Sequence, residues 1–452
     1  MAQAGTTPQA EAVPSLGLPF QQVAPIFALT FVDVLGLTVI LPLLHLYAAA
    51  YGASPLEIGL VASAFPLAQL VGVPLMGALS DRFGRKPLLL ISQITTFVSF
   101  ILLGLADSLA LIVFSRVLDG IFGANFSTAQ AALSDVTDES NRARGLGITG
   151  AAFGLGFLFG PFIALITLEM TDSLAVPALS AAGYSFLSIL LTAFWFKETL
   201  PPEKRGGNIS AALGPLVVWH IVRVPGMALL LLLIFMEQIV FYGFEALMGV
   251  FTLSRLGILG QGNALFFLFI GSLLVYTQVR LIGRWTARYG EARVVWMALA
   301  LLALGLLLVA LTPEIPQPFY VARNLAFDLR QQAPNSTEAI IGSIGVRLPR
   351  EGHNGLGGIL WFLVAIIPLS IGAGLIRPCL NSLMTKRVGR QQYGAVLGVS
   401  ASLVSAANAA APILGGLLMQ AYGVSLPFLL GAGVMALLAL LAAWRVRPIQ
   451  TV

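Results

Sequence analysis

Charge is what this sequence has least of. Only 10% of its 452 residues are Asp, Glu, Lys or Arg, where a soluble domain carries roughly a quarter. With 58% hydrophobic residues and a mean hydropathy of +0.90, most soluble folds are excluded. A single cysteine, Cys379, rules out an intrachain disulfide and leaves the redox compartment unread. Three histidines with no neighbouring cysteine give no metal-ligand pattern. The chain also lacks a GxxxxGK[ST] nucleotide loop and any nucleophile motif, which argues against an enzyme and against built-in ATP drive. No cofactor is expected. The first 20 residues contain no Lys or Arg, so they lack the basic region of a signal peptide; residues 1–22 read as a disordered cytoplasmic tail. The net charge of +5 is better explained by basic loops beside a membrane than by nucleic acid.

What the chain has instead is apolar length. Segments near 23–47, 57–80, 87–106, 109–132, 145–168, 175–196, 227–253, 262–284, 293–312, 358–383, 394–420 and 425–445 are each long enough to cross ~30 Å of hydrocarbon as helices. The expectation is an all-α membrane protein of twelve transmembrane helices in two pseudo-symmetric six-helix bundles, 23–196 and 226–445. A polar, Pro- and Gly-rich stretch, 197–225, reads as the cytoplasmic linker between them, and 446–452 as a second cytoplasmic tail. If the N-terminus is cytoplasmic, 18 of the 25 Lys and Arg lie in or beside loops on that side. The bias toward basic inner loops then places both termini in the cytoplasm, in a multi-pass plasma-membrane protein.

The halves are related. "GALSDRFGR" (77–85) has a degenerate partner in "GRWTARYGE" (283–291) at an offset of 206, while Gly147 and Pro161 match Gly398 and Pro412 at 251. The offsets differ by 45, the length of 313–357, which therefore reads as an external insertion in the second half.

Six ionisable residues fall within spans: Asp33, Arg116, Asp119, Glu237, Glu245 and Arg377. A charge at the bilayer centre costs ~3 kcal/mol or more, so such groups face a cavity or a partner. At 1.5 Å per residue, Asp33 and Glu237 lie ~15 Å from the cytoplasmic face and Arg116 near the same depth. That convergence is where transporters bind substrate and coupling ions. Arg116 and Asp119, three residues apart, are equally able to neutralise each other. Glu245 is placed either at the site or in an outer vestibule, and Arg377 is expected to snorkel toward the headgroups. Asp33 and Glu237 have no basic neighbour in sequence and are the better proton-site candidates. Span five, "GITGAAFGLGFLFGP", carries Gly147, Gly156 and Gly160 before Pro161, which favours backbone-to-backbone packing and a kink.

The loop after span two, with Gly77, Asp81, Arg82, Gly84, Arg85 and Lys86, matches the signature G-x-x-x-D-R-x-G-R-[KR] of the major facilitator superfamily. "RVLDGIFGA" resembles the family's span-four arginine motif, with Asp119 in place of the usual polar residue. Span five resembles the antiporter motif, although its last two glycines are Ala164 and Leu165. "FVDVLGLTVILPLL" with Asp33, and "LSDVTDESNRARG" with Asp135, resemble the tetracycline-efflux branch of twelve-helix drug:proton antiporters. The resemblance implies alternating access around a central site, with a proton gradient driving export of a small lipophilic drug or metabolite from a monomer. An importer or uniporter on the same fold is the alternative. It further implies that Asp33 handles substrate or proton. No acid matches the branch's span-three or span-nine carboxylates, so Glu237 or Glu245 is expected in that role. The 77–87 loop becomes a cytoplasmic latch: Arg85 reaches Asp135, Asp81 faces the start of span eleven, and Gly77 and Gly84 allow close approach and a tight turn. Ala287 in place of the aspartate makes the first half the expected home of the stronger latch.

Overall fold

The computed structural model describes residues 20–137, 142–171, 173–206, 221–331, 346–388 and 393–446. The expected tails beyond 20 and 446, and most of the linker and insertion, lie outside the described residues. All regular structure among the described residues is helical.

Among the described residues, eleven helices are long and apolar enough to cross a membrane: Gln21–Ala49, Pro55–Phe83, Arg85–Gly104, Leu109–Asp135, Ala175–Phe194, Met227–Leu256, Gly260–Tyr289, Glu291–Ala310, Gly357–Thr385, one ending at Tyr422, and Leu426–Arg445. The helix ending at Tyr422 begins at Tyr393. Arg142–Met170, 29 residues with Pro161 inside, takes the fifth place in the order. These are spans one to twelve, within a few residues of the sequence expectation at each end. Helices are the natural solution because hydrocarbon offers no partner to a free backbone N–H or C=O. With twelve crossings, both described ends lie on one side, here the termini side; the other is the far side.

Local chemistry sets the breaks. Ser54 and Glu57 form a reciprocal capping box ahead of Pro55, starting span two on the far side. Gly84, at φ +108°, ends span two and lets span three begin at once. Pro42 interrupts span one with a 3-10 turn, Leu41–Leu43, because proline has no N–H to continue the helix. The chain then resumes as Leu44–Ala49. Gly257, at φ +62°, closes span seven.

Inside the second half, Phe251 packs edge-on to Phe428 at 4.9 Å and Phe266 to Phe362 at 4.8 Å, joining spans seven, eight, ten and twelve. Exposed Leu429, Leu430, Leu437 and Leu440 on span twelve, and Phe186, Leu187 and Leu190 on span six, form an apolar outer band suited to lipid. Exposed Phe194, Trp195, Tyr422 and Trp444 sit at helix ends, where amphipathic rings favour the headgroup zone. In the insertion, Ala322–Gln331 is a short helix. Gln317 bonds the carbonyls of Leu256 and Gly257, so this connection covers the far end of span seven.

The two halves meet tightly on the far side. A Cβ on Gly59 would overlap the Pro412 carbonyl, and one on Gly416 would come 2.5 Å from that of Pro55. The Leu56 N–H donates to Gln420 at 3.3 Å. On the termini side the picture reverses: Gly77 and Gly398 have no heavy atom within 4 Å of a Cβ position. The molecule is closed on the far side and splayed on the termini side.

Candidate functional site

The six intramembrane charges interact with partners of their own half. They form two networks, one in each half. In the first half, Arg116 and Asp119 of span four are each 3% exposed and pair at 3.5 Å. Arg116 also donates to Ser99 Oγ at 2.9 Å and lies 5.2 Å from the Phe100 ring centre; Thr96 donates to Asp119 at 2.8 Å. Mutual neutralisation against span three is therefore the arrangement observed, and the pair does not line an open cavity.

Asp33 lies near Asp119, Gln93 and Ser188. Gln93 donates to Ser188 at 2.8 Å, and the Ser188 hydroxyl, an acceptor in that bond, keeps its own proton. Both carboxylate oxygens of Asp33 are buried and without a hydrogen-bond partner among the described residues.

In the second half, Glu237 on span seven is 2% exposed and its Oε2 is likewise unpartnered. The next residue, Gln238, accepts from Arg377 of span ten and donates to Asn408 of span eleven at 2.5 Å. The Arg377 charge acts on both Glu237 and Glu245. One sequence expectation is corrected here. Arg377 is exposed, but it occupies the face that carries buried Ser370 and Ile366 two and three turns earlier. That face points inward, so the guanidinium serves the inter-helix network instead of the headgroups. Glu245 belongs to the same network and is not an isolated vestibule residue.

The loop after span two is built around Arg85, which is buried. Its Nη1 pairs with Asp81 at 2.5 Å and bonds Ser80 at 3.1 Å, while its Nε pairs with Asp135 at 2.9 Å. The expected reach to Asp135 is present. Asp81, however, turns to Arg85, four residues on, and its side chain remains 49% exposed. Its expected partner, the start of span eleven, adjoins residues outside those described. Gly84 does supply a turn, and a Cβ there would overlap the Glu198 carboxylate. Gly77, in open space, is not a point of close approach. Lys86 donates to the Ala193 carbonyl at 2.8 Å, and Arg82 lies 5.5 Å from the Phe83 ring centre.

Glu198 was not singled out in the sequence. It lies beyond span six in "KETLPPEKR" and accepts from the N–H groups of Arg85 and Lys86 at 2.9 and 3.1 Å. A carboxylate there satisfies free donors and meets the positive end of span three. Partial burial opposes ionisation, yet bonds from Leu200, Arg85 and Lys86 and the Arg205 charge outweigh it and hold the carboxyl below its ordinary 4.5. The one signal available was an acid in a polar stretch after an apolar span; nothing local points it back at residue 85.

The second half holds an ion pair of its own at this level. Glu291, at the start of span nine, accepts from Lys386 at 2.8 Å and Ser382 at 2.7 Å. The 206- and 251-residue offsets carry Arg85 onto Glu291 and Asp135 onto Lys386. The two halves hold equivalent ion pairs of opposite polarity, and an aspartate at 287 would repel Glu291.

Span five packs on span one of its own half and along span eight of the other. Cβ atoms on Gly156 and Gly160 would strike Val34 and Thr38 of span one, and Thr38 donates to the Gly156 carbonyl at 2.8 Å. The contact with the other half includes Phe157, whose carbonyl would be 3.1 Å from a Cβ on Gly271. Pro161 lies inside this helix; the surroundings of Gly147 lie outside the described residues.

This architecture has wide company. Crystals of the human organic anion transporter MFSD10 (TETRAN) show a fold with a TM-score of 0.64 at 23% identity, covering 95% of this chain and 100% of that one. The class B tetracycline resistance protein of Escherichia coli is 26% identical over 392 residues, 85% of each chain. Multidrug resistance protein 2 of Bacillus subtilis (strain 168) is 24% identical over 423 residues, 92% of this chain and 93% of its own. The sequence model of the Major Facilitator Superfamily matches residues 26–326 and 342–451. The chain belongs to the major facilitator superfamily, a family of membrane transporters of small molecules.

Proposed function

We propose that this transporter exports a small lipophilic drug or metabolite in exchange for protons, by alternating access between its two six-helix halves. The observation that carries this reading is the pair of acids, Asp33 and Glu237, one in each half, each with a buried carboxylate oxygen that has no hydrogen-bond partner among the described residues. A carboxylate held away from water without a partner is costly as an anion. Alternate burial and exposure of such a group therefore loads and unloads a proton. The similarity to tetracycline and multidrug resistance proteins supports efflux. With both termini cytoplasmic, as the basic loops favour, the closed far side is external and the molecule is inward-facing. The 197–225 linker then joins two rocking bundles in the cytoplasmic membrane, with a monomer sufficient and no cofactor needed.

The test is expression in an efflux-deficient host challenged with a panel of toxic compounds. Resistance should appear for a subset, vanish with a protonophore, and vanish in Asp33→Asn and Glu237→Gln variants that still reach the membrane. Full resistance in both variants under an intact proton gradient contradicts the assignment. In vesicles, proton movement in the same direction as substrate would mark an importer instead.

A further inference from the structure

His45 has no part in the account so far, yet it occupies the far-side seam between the halves. It sits in the turn after Pro42 and is 4% exposed. Its ring fills the space that a Cβ on Gly249 of span seven would occupy. Its Nε2 lies 3.2 Å from Asn263 Nδ2 of span eight. Asn263 is fully buried, and Thr252 of span seven donates to its Oδ1 at 2.6 Å. In this arrangement the amide oxygen faces Thr252 and the amide nitrogen faces the histidine. An amide nitrogen only donates, so Nε2 is the acceptor and the ring carries its single proton on Nδ1. A second proton would put a charge without an ion-pair partner into a buried space.

The other ionisable groups on the surrounding elements are engaged or turned elsewhere. Tyr47 donates to the Leu174 carbonyl and Tyr51 to that of Ala106. Glu57 of span two caps the Ser54 N–H at 2.7 Å. Arg116 of span four is paired with Asp119. Asp107, before span four, and Glu169 of span five are exposed. Arg255 of span seven donates to Ser425 at 2.8 Å. Glu245 is the one acid on the helix face that meets His45, one turn or ~6 Å inward from Gly249.

We propose that His45 is a proton-binding latch of the far-side gate. Neutral, it accepts the Asn263 bond that ties span one to spans seven and eight. When the gate opens, Nε2 takes a proton from water on that side, and the bond cannot re-form until that proton leaves. The inference deepens the proton-coupled reading by adding a titrating group at the gate itself.

The experiment uses the full chain in nanodiscs, with Cys379→Ser and spin labels at Asp107 and Gln261, exposed far-side positions in opposite halves. Between pH 8 and 5 the ratio of far-side-open to closed molecules should rise, by up to about tenfold per pH unit for one linked proton. His45→Gln keeps an acceptor but does not titrate, so its gate should stay closed to lower pH and its slope should fall by the one proton that His45 contributes. Asn263→Asp offers a carboxylate to the protonated ring, so acid should close the gate, reversing the sign. A pH response of unchanged slope in His45→Gln, or none in the parent, overturns the proposal. Proton-coupled efflux with a gate indifferent to His45→Gln sinks the latch alone; a responding gate without proton-coupled flux sinks the efflux reading alone.

Discussion

At the scale of single residues, the membrane interior sorts charges by whether they are paired. Arg116 and Asp119 are paired, buried and bonded to Thr96 and Ser99; they behave as structure. Removing one partner strands the other, at a cost of about 3–5 kcal/mol. Asp119→Ala should therefore lower unfolding stability by that order in detergent. Arg116→Met with Asp119→Leu should recover most of it, as read by thermal melts of the two variants side by side. Glu198 makes a different prediction because it lies outside the bilayer. Its carboxyl is held below its ordinary value of 4.5 in the folded state, so its contribution is present above that value and is lost as pH falls through the folded one. The stability gap between the parent and Glu198→Gln should be full at pH 7 and shrink below pH 4.5; a gap independent of pH would mean the carboxylate is not the source. Residue types and depths were readable in the sequence, since composition and span length fix them. Partnerships were not: Arg377 meets Gln238, 139 positions away, and no periodicity carries that distance.

At the scale of elements, the loops on the termini side repeat one device with inverted charge. Arg85 with Asp135 clamps the start of span three to the end of span four, and Glu291 with Lys386 does the same for spans nine and ten. Asp81 suits the first half because it faces Arg85, and Ala287 suits the second because it faces Glu291. The triple variant Asp81→Ala, Arg85→Glu, Asp135→Lys copies the second half's polarity into the first. It should regain stability that Arg85→Glu alone forfeits, with a coupling of about 0.5–3 kcal/mol in a mutant cycle. No coupling would reduce the pair to a surface contact. The twelve spans and the loop signature were legible because apolar length and glycine spacing are local properties. The inverted pair was half legible: the offsets were in the sequence, but a charge reversal looks like decay until the contacts are seen. Likewise Gly156 and Gly160 announced close packing without naming span one as the partner.

At the scale of the whole molecule, glycines and a histidine seal the far side while the termini side stands open, and each half holds an acid with a buried oxygen that has no hydrogen-bond partner among the described residues. Two halves, two acids and a single closed gate are the parts an exchanger needs, since a proton and a substrate can take turns at the interior. The central claim is the direction of that exchange. It is tested most directly in proteoliposomes loaded with a pH-sensitive dye, using a compound to which the transporter confers resistance. Export of the compound should move protons the opposite way, and an imposed pH gradient should drive the compound uphill. Both effects should disappear in Asp33→Asn with Glu237→Gln. Protons moving with the compound, or uphill transport that persists in the double variant, would contradict the account.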